Sequence, residues 1–202
     1  YPLIVALHGD GQSARIFLTA SKLTDVAGKD AILAFTDQVL DLDTAYDDNP
    51  DQALVAAVID DVKGSHKIDA TKVWGYGYSK GAYMLEELLC RKKAASFTAM
   101  VIHAGGAPQE RNADGSINCP DAPVVPMFLT QGSNDQDTGV EFGAQFWAGV
   151  AGCSDANRKP VTPSYCEAYQ GCTTPVVYCE IPGAQHFPLY DSAATDGWTW
   201  LK

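Results

Sequence analysis

The run Gly77-Tyr78-Ser79-Lys80-Gly81 is where this sequence concentrates its chemistry. A serine hydroxyl is a weak nucleophile until a neighbouring base takes its proton, and it must stand clear of the backbone to meet an electrophile. A sharp turn from strand to helix presents it that way. The crowding inside such a turn demands small residues two places before and two places after the serine. Gly77 and Gly81 occupy those places. With 18 glycines in the chain, chance produces this spacing in roughly one such sequence in twelve, so the flanks must carry weight too. Val73-Trp74 before it reads as an apolar strand, and Ala82–Cys90 after it has a helical pattern. The same glycines do not make a phosphate cradle. Lys80 precedes its glycine with no Ser or Thr following, and it stands where a dinucleotide fingerprint needs its third glycine.

A base must come next. The chain has four histidines, His8, His66, His103 and His186. On a strand–turn–helix nucleophile the partners follow in the order serine, acid, histidine. His103 closes a strand with no strand-end acid between it and Ser79. His186 lies in Pro182–Pro188, a loop after the last predicted strand, and is the expected base. The acid orients the imidazole in the right tautomer. Leu129–Asp135 ends a strand in a glycine turn and then offers Asp135, with Asp137 as runner-up. An oxyanion needs preorganised N–H donors. The backbone N–H of Lys80 is expected to be one, at a helix N-terminus where the dipole favours negative charge. The other is expected from His8-Gly9-Asp10-Gly11-Gln12-Ser13, at Asp10 or Gly11, with His8 bracing the loop.

The elements that must position these residues alternate. Strands are predicted over Leu3–Leu7, Ala31–Phe35, Val73–Tyr76, Phe97–Ile102, Val124–Thr130 and Val176–Ile181. Helices are predicted over Ile16–Ala27, Gln52–Val62 and Ala82–Cys90, with an aspartate-rich solvated loop over Asp37–Pro50. Such alternation implies right-handed crossovers and a mostly parallel sheet with helices on both faces. Ligands bind such sheets beyond the carboxyl ends of the strands, where Ser79, Asp135 and His186 all fall.

The bulk numbers bound the rest. A chain of 202 residues fits a single domain over 1–202. The net charge of −11 repels phosphate backbones and anionic lipid, so neither nucleic acid nor a membrane is an expected partner. No apolar run approaches the roughly 20 residues of a spanning helix. Six cysteines without close metal-ligand pairs point to disulfides in an oxidising compartment. They allow 15 connectivities, of which Cys90–Cys119 is one candidate pairing. The chain opens at Tyr1-Pro2 directly into an apolar strand, as expected of a mature chain whose leader is gone.

Several segments together resemble the secreted esterases grouped as feruloyl esterases and polyhydroxybutyrate depolymerase-like enzymes. They are Leu7-His8-Gly9-x-Gly11-Gln12-Ser13, Lys67–Val73, Gly77–Ala82, Gly132-Ser133-Asn134-Asp135, Trp147 before Gly152-Cys153, and Pro182–His186. The resemblance implies an α/β-hydrolase fold and hydrolysis of a carboxylic ester through an acyl-enzyme on Ser79, His186 and Asp135. It implies no metal or cofactor, and a small-molecule or polymer-linked ester as the partner of a monomer. It also implies secretion, and two strands ahead of the His8-Gly9 strand. The chain departs from the family pattern at Ala82, where a second glycine is common, and at Phe187-Pro188, where a tryptophan is common nearby. Within this class, plant-wall feruloyl esters lead, with polyester, acetyl xylan and cutinase-like substrates as alternatives. A catalytically idle hydrolase scaffold that only binds is the alternative outside enzymes. Tyr76, Tyr78, Tyr83 and the Asp37–Pro50 loop are candidates to line an acyl pocket, although aromatics near a core strand more often pack.

Overall fold

Along the first strand Leu3, Val5 and Leu7 alternate with Ile4 and Ala6, and both sets are buried. A strand apolar on both faces needs cover on both sides. The computed structural model describes residues 1–37, 50–90, 97–120, 123–135 and 139–202. Its elements run β1 (Leu3–Leu7), α1 (Ala14–Ala20), α2 (Leu23–Ala27), β2 (Ile32–Thr36), α3 (Pro50–Ser65), β3 (Val73–Tyr78), α4 (Lys80–Cys90) and β4 (Ala99–His103). They continue β5 (Met127–Gly132), α5 (Val140–Val150), β6 (Ser154–Val161), β7 (Cys166–Gln170), β8 (Val176–Ile181) and α6 (Ala193–Leu201).

Among the described residues the strands form one eight-stranded sheet in the order β2-β1-β3-β4-β5-β8-β7-β6. β1 to β5 and β8 are mutually parallel, while β7 runs antiparallel to β8 and β6 antiparallel to β7. One core gathers Leu3, Val5 and Leu7 with Val55 and Ile59 of α3, Leu85 and Leu88 of α4, and Trp147 of α5. The other gathers Ile4 and Ala6 with Phe17 of α1, Leu23 of α2 and Trp198 of α6. Helices therefore cover both faces, as the sequence predicts.

The chain departs from the sequence expectations in places, each with a local cause. The helix expected over Ile16–Ala27 is two short helices, broken at Lys22, whose φ of 54° no helix accommodates. Proline cannot donate to a ladder, and the strand expected from Val124 begins at Met127, directly after Pro126. β6, β7, α5 and α6 lie outside the expectations. β6 reads Ser-Asp-Ala-Asn-Arg-Lys-Pro-Val, a polar edge strand with a proline and no apolar alternation to reveal it. The loop expected over Asp37–Pro50 and the runner-up acid Asp137 lie outside the described residues, apart from Asp37 and Pro50 themselves.

All six cysteines are paired. Cys90–Cys119, one candidate among the open connectivities, is present and ties the end of α4 to the segment after β4. Cys153–Cys172 joins the segments flanking β6 and β7, and Cys166–Cys179 joins directly paired residues of β7 and β8. Three such crosslinks fit an oxidising environment. No helix among the described residues is long and apolar enough to cross a membrane.

Candidate active site

Ser79 stands between β3 and α4 with a φ of 53°, a left-handed conformation that a non-glycine residue rarely holds. Its neighbours keep it there. The Ser79 N–H donates to the His103 carbonyl at 2.9 Å, and the Ser79 carbonyl accepts from Ala82 at 2.9 Å and Tyr83 at 3.1 Å. A Cβ on Gly77 would lie 2.6 Å from the Ala82 Cα, and one on Gly81 would press into the carbonyls of Leu7 and His8. The two glycines thus let α4 turn back across the ends of β3 and β1. Ala82, in place of the second glycine, is fully buried and still fits.

Three side chains meet at the carboxyl ends of three strands. Ser79 Oγ lies 2.8 Å from His186 Nε2, and His186 Nδ1 lies 2.9 Å from Asp135 Oδ2. The carboxylate is almost wholly buried, while the imidazole side chain is 41% exposed. One end of this chain of hydrogen bonds is dry, and the other faces solvent.

The loops bearing Asp135 and His186 are sewn together. Ser133 N–H donates to the Ile181 carbonyl at 3.0 Å, and Ser133 Oγ accepts from Gly183 N–H at 2.8 Å. Asn134 N–H donates to the Ala184 carbonyl at 3.0 Å, and its side-chain amide to the Gly183 carbonyl at 3.2 Å. Gly132 lets Ala184 close against it, since a Cβ there would lie 2.5 Å from the Ala184 carbonyl carbon. The Gln131 side-chain amide donates to the Asp135 backbone carbonyl. Gly132-Ser133-Asn134 and Pro182-Gly183-Ala184 are therefore two halves of one fastening.

The loop after β1 passes over the serine. A Cβ on Gly9 would sit 3.1 Å from the Ser79 Cβ. Gln12 N–H donates to the Gly9 carbonyl at 3.2 Å, closing a turn over Asp10 and Gly11. Gly11 takes a φ of +68°, which its place in the turn requires. Lys80 Nζ lies 3.4 Å from Asp10 Oδ1, joining this loop to the first residue of α4. The Lys80 backbone N–H is among the first-turn donors that no intrahelical carbonyl can satisfy. His8 is buried with Nδ1 2.8 Å from the Gly9 carbonyl, the bracing place expected of it.

The other candidates fall elsewhere. His103 is fully buried, 2.6 Å from Thr130 Oγ1 through Nδ1, and burial pushes its imidazole down to about 3. It supports the elbow through its carbonyl and takes no part in the relay. Tyr76 is fully buried under the sheet, with burial raising its hydroxyl far above its ordinary value, so it packs and does not line a pocket. Tyr83 is half-buried beside the Gly106 backbone, and burial pushes its hydroxyl up to about 12. Tyr78 has contacts the sequence does not announce. Its hydroxyl donates to the His186 carbonyl at 2.5 Å, and its ring stacks on the imidazole at 5.6 Å. A small cavity of ~10 Å³ lies beneath the imidazole among Tyr78, His103, Thr130, Ala184 and Tyr190.

This sheet order, with Ser79 on the sharp turn after β3, Asp135 after β5 and His186 after β8, is the α/β-hydrolase fold. No family model matches the sequence, and no curated relative matches it. Solved structures share the fold. An acetyl xylan esterase from Aspergillus awamori aligns with a TM-score of 0.74 at 13% identity, covering 100% of this chain and 89% of that one. The esterase PE8 aligns with a TM-score of 0.64 at 14% identity, covering 99% and 91%. A carboxylesterase from Mesorhizobium loti aligns with a TM-score of 0.61 at 12% identity, covering 99% and 88%.

Proposed function

We propose that this protein is a secreted serine hydrolase of carboxylic esters, acting through an acyl-enzyme. The observation that carries the reading is the relay itself, with both hydrogen bonds under 3 Å and its acid buried. Ser79 Oγ attacks the ester carbonyl carbon while His186 Nε2 takes the hydroxyl proton. Asp135 holds the Nδ1 proton and stabilises the imidazolium. The carbonyl oxygen becomes an oxyanion facing the Lys80 N–H and the loop of Asp10 and Gly11. Collapse breaks the bond to the alcohol oxygen, which receives the proton from His186 and leaves. Water then attacks the acyl carbon as His186 takes its proton, and the acid departs with Ser79 restored. The esterase titles of the fold neighbours support the reaction class, and the three disulfides support secretion.

The substrate reading is an ester borne on a plant-wall polysaccharide, feruloyl by the sequence resemblance. The likeness in fold to an acetyl xylan esterase favours acetyl esters as the second reading. Initial rates on methyl ferulate, an acetyl ester and a longer aliphatic ester, each beside Ser79→Ala, test both. Ser79→Ala is expected to keep the fold and lose about 10⁶-fold in kcat. A preference for aliphatic esters would move the substrate to polyesters or cutin. A serine that neither turns over any ester nor labels with a fluorophosphonate would make the protein an idle scaffold.

A further inference from the structure

His186 is held at its ring by Ser79 and Asp135, yet its loop is exposed, and the adjoining Phe187 is 63% exposed. A bond of 2.8 Å to the nucleophile requires the imidazole to be placed within a fraction of an ångström. Something must fix the loop from below. Tyr78 touches each part that has to be in register. Its hydroxyl donates to the His186 backbone carbonyl at 2.5 Å. Its ring lies 5.6 Å from the imidazole at an interplanar angle of 29°.

Another contact is with the loop after β1. A Cβ on Gly9 would come within 2.9 Å of Tyr78 Cδ1, so the backbone of that loop rests directly on the ring. Phe17 of α1 also stacks on Tyr78, at 6.2 Å and 17°. Phe17 is itself backed edge-on by Phe35 of β2 at 6.0 Å. An aromatic column thus runs from the sheet edge to the imidazole. Tyr78 is only 4% exposed, which leaves it little surface to offer an acyl group. Burial, with Asp135 nearby adding to it, pushes its hydroxyl up to about 12, so it stays a donor wherever ester hydrolysis is measured.

We propose that Tyr78 is the positioning residue for His186, its ring face setting the plane of the imidazole and its hydroxyl fixing the backbone that carries it. The same ring supports Gly9, so the oxyanion loop and the base are registered against one side chain. The inference rests on His186 being the base, as read above. It departs from the acyl-pocket role that sequence alone suggests for Tyr78.

Tyr78→Phe keeps the ring and removes the hydroxyl, and it is to be measured on the three esters used for the wild type. The expected result is a fall in kcat of about tenfold with KM unchanged, by the same factor on every ester. Phe17→Leu, which releases the ring from its far side without touching His186, is expected to lower kcat about threefold in the same manner. A wild-type kcat in Tyr78→Phe would overturn the proposal. So would a loss that varies with the acyl group, since that marks a pocket residue. Should Tyr78→Phe not fold, an unchanged kcat in Phe17→Leu overturns it. A wild type without Ser79-dependent turnover fails the esterase reading itself, before either variant is compared.

Discussion

The elbow and the paired loops hold their catalytic candidates by different physics. Ser79 is held by close approach of backbone, with Gly77 against Ala82 and Gly81 against the carbonyls of Leu7 and His8. Between the loops bearing Asp135 and His186 there is one such approach, Gly132 against Ala184, and the rest of the fastening is hydrogen bonds between Ser133, Asn134 and the Ile181–Ala184 segment. Steric fit of this kind is all or nothing, because the repulsive wall is steep and backbone cannot rotate away. Hydrogen bonds exposed to solvent are individually worth only about 1 kcal/mol and are replaceable by water. The elbow should therefore fail abruptly, and the loops should loosen by degrees wherever Ser133 and Asn134 hold them.

Asp135→Asn gives the largest effect on the loop side, because it alters the relay and not its support. The amide keeps the shape but offers an N–H where the imidazole needs an acceptor, so His186 turns to the wrong tautomer. The expected loss in kcat is about 10⁴-fold with little change in stability, read by steady-state kinetics and a thermal melt. Gly81→Ala attacks the elbow. One methyl aimed at the Leu7 and His8 carbonyls forces α4 off the ends of β1 and β3. The expected cost is about 3 kcal/mol, read by denaturant unfolding, with activity lost even where the chain still folds. A Gly81→Ala protein of native stability would show that the elbow has slack, and the contrast would collapse.

That contrast also explains what could be seen in advance. The elbow is legible because steric demand appears as residue type at fixed spacing, and Gly77, Ser79 and Gly81 display it. Asp135 and His186 are legible only through chain order and their place after β5 and β8, for a lone aspartate or histidine has no spacing of its own. The strands at the centre of the sheet declare themselves by continuous apolar runs, with β1 and β8 at their predicted bounds. β6 does not, since an edge strand needs no apolar face and here carries Arg158 paired with Glu141 and Glu167. α5 and α6 carry buried residues at helical spacing, but glycines within both blur the pattern. The Tyr78 contacts are not legible at all. A tyrosine beside the serine says nothing about a carbonyl 108 residues away.

His103 sharpens the comparison through pH. It lies beneath the elbow among Tyr76, Thr130 and Tyr190, and burial holds its imidazole near 3. The unfolded chain takes up that proton near the ordinary value of about 6.5, which the native state refuses. Its contribution to stability is thus complete above that value and is lost as pH falls toward 3, at up to about 1.4 kcal/mol per pH unit. Unfolding midpoints from pH 7 to 4 should show a shallower decline in His103→Gln than in the wild type. Equal slopes would mean that other groups dominate acid unfolding.

The smallest effect expected is from Ser133→Ala. It removes the acceptor for the Gly183 N–H, a contact on the exposed side of the fastening. Water can take the place of the hydroxyl, so the loss should be about 1 kcal/mol or less. The remaining stitches at Ile181, Gly183 and Ala184 keep Asp135 beside His186. Activity should fall only a few-fold, about the scale at which one hydrogen bond shifts a loop without displacing it. The double variant Ser133→Ala with Asn134→Ala then decides whether the loops loosen by degrees. If the two losses add, the fastening is a sum of weak bonds. If the second change costs far more than the first, the loops share the all-or-nothing character of the elbow, and the distinction between the two regions is one of degree.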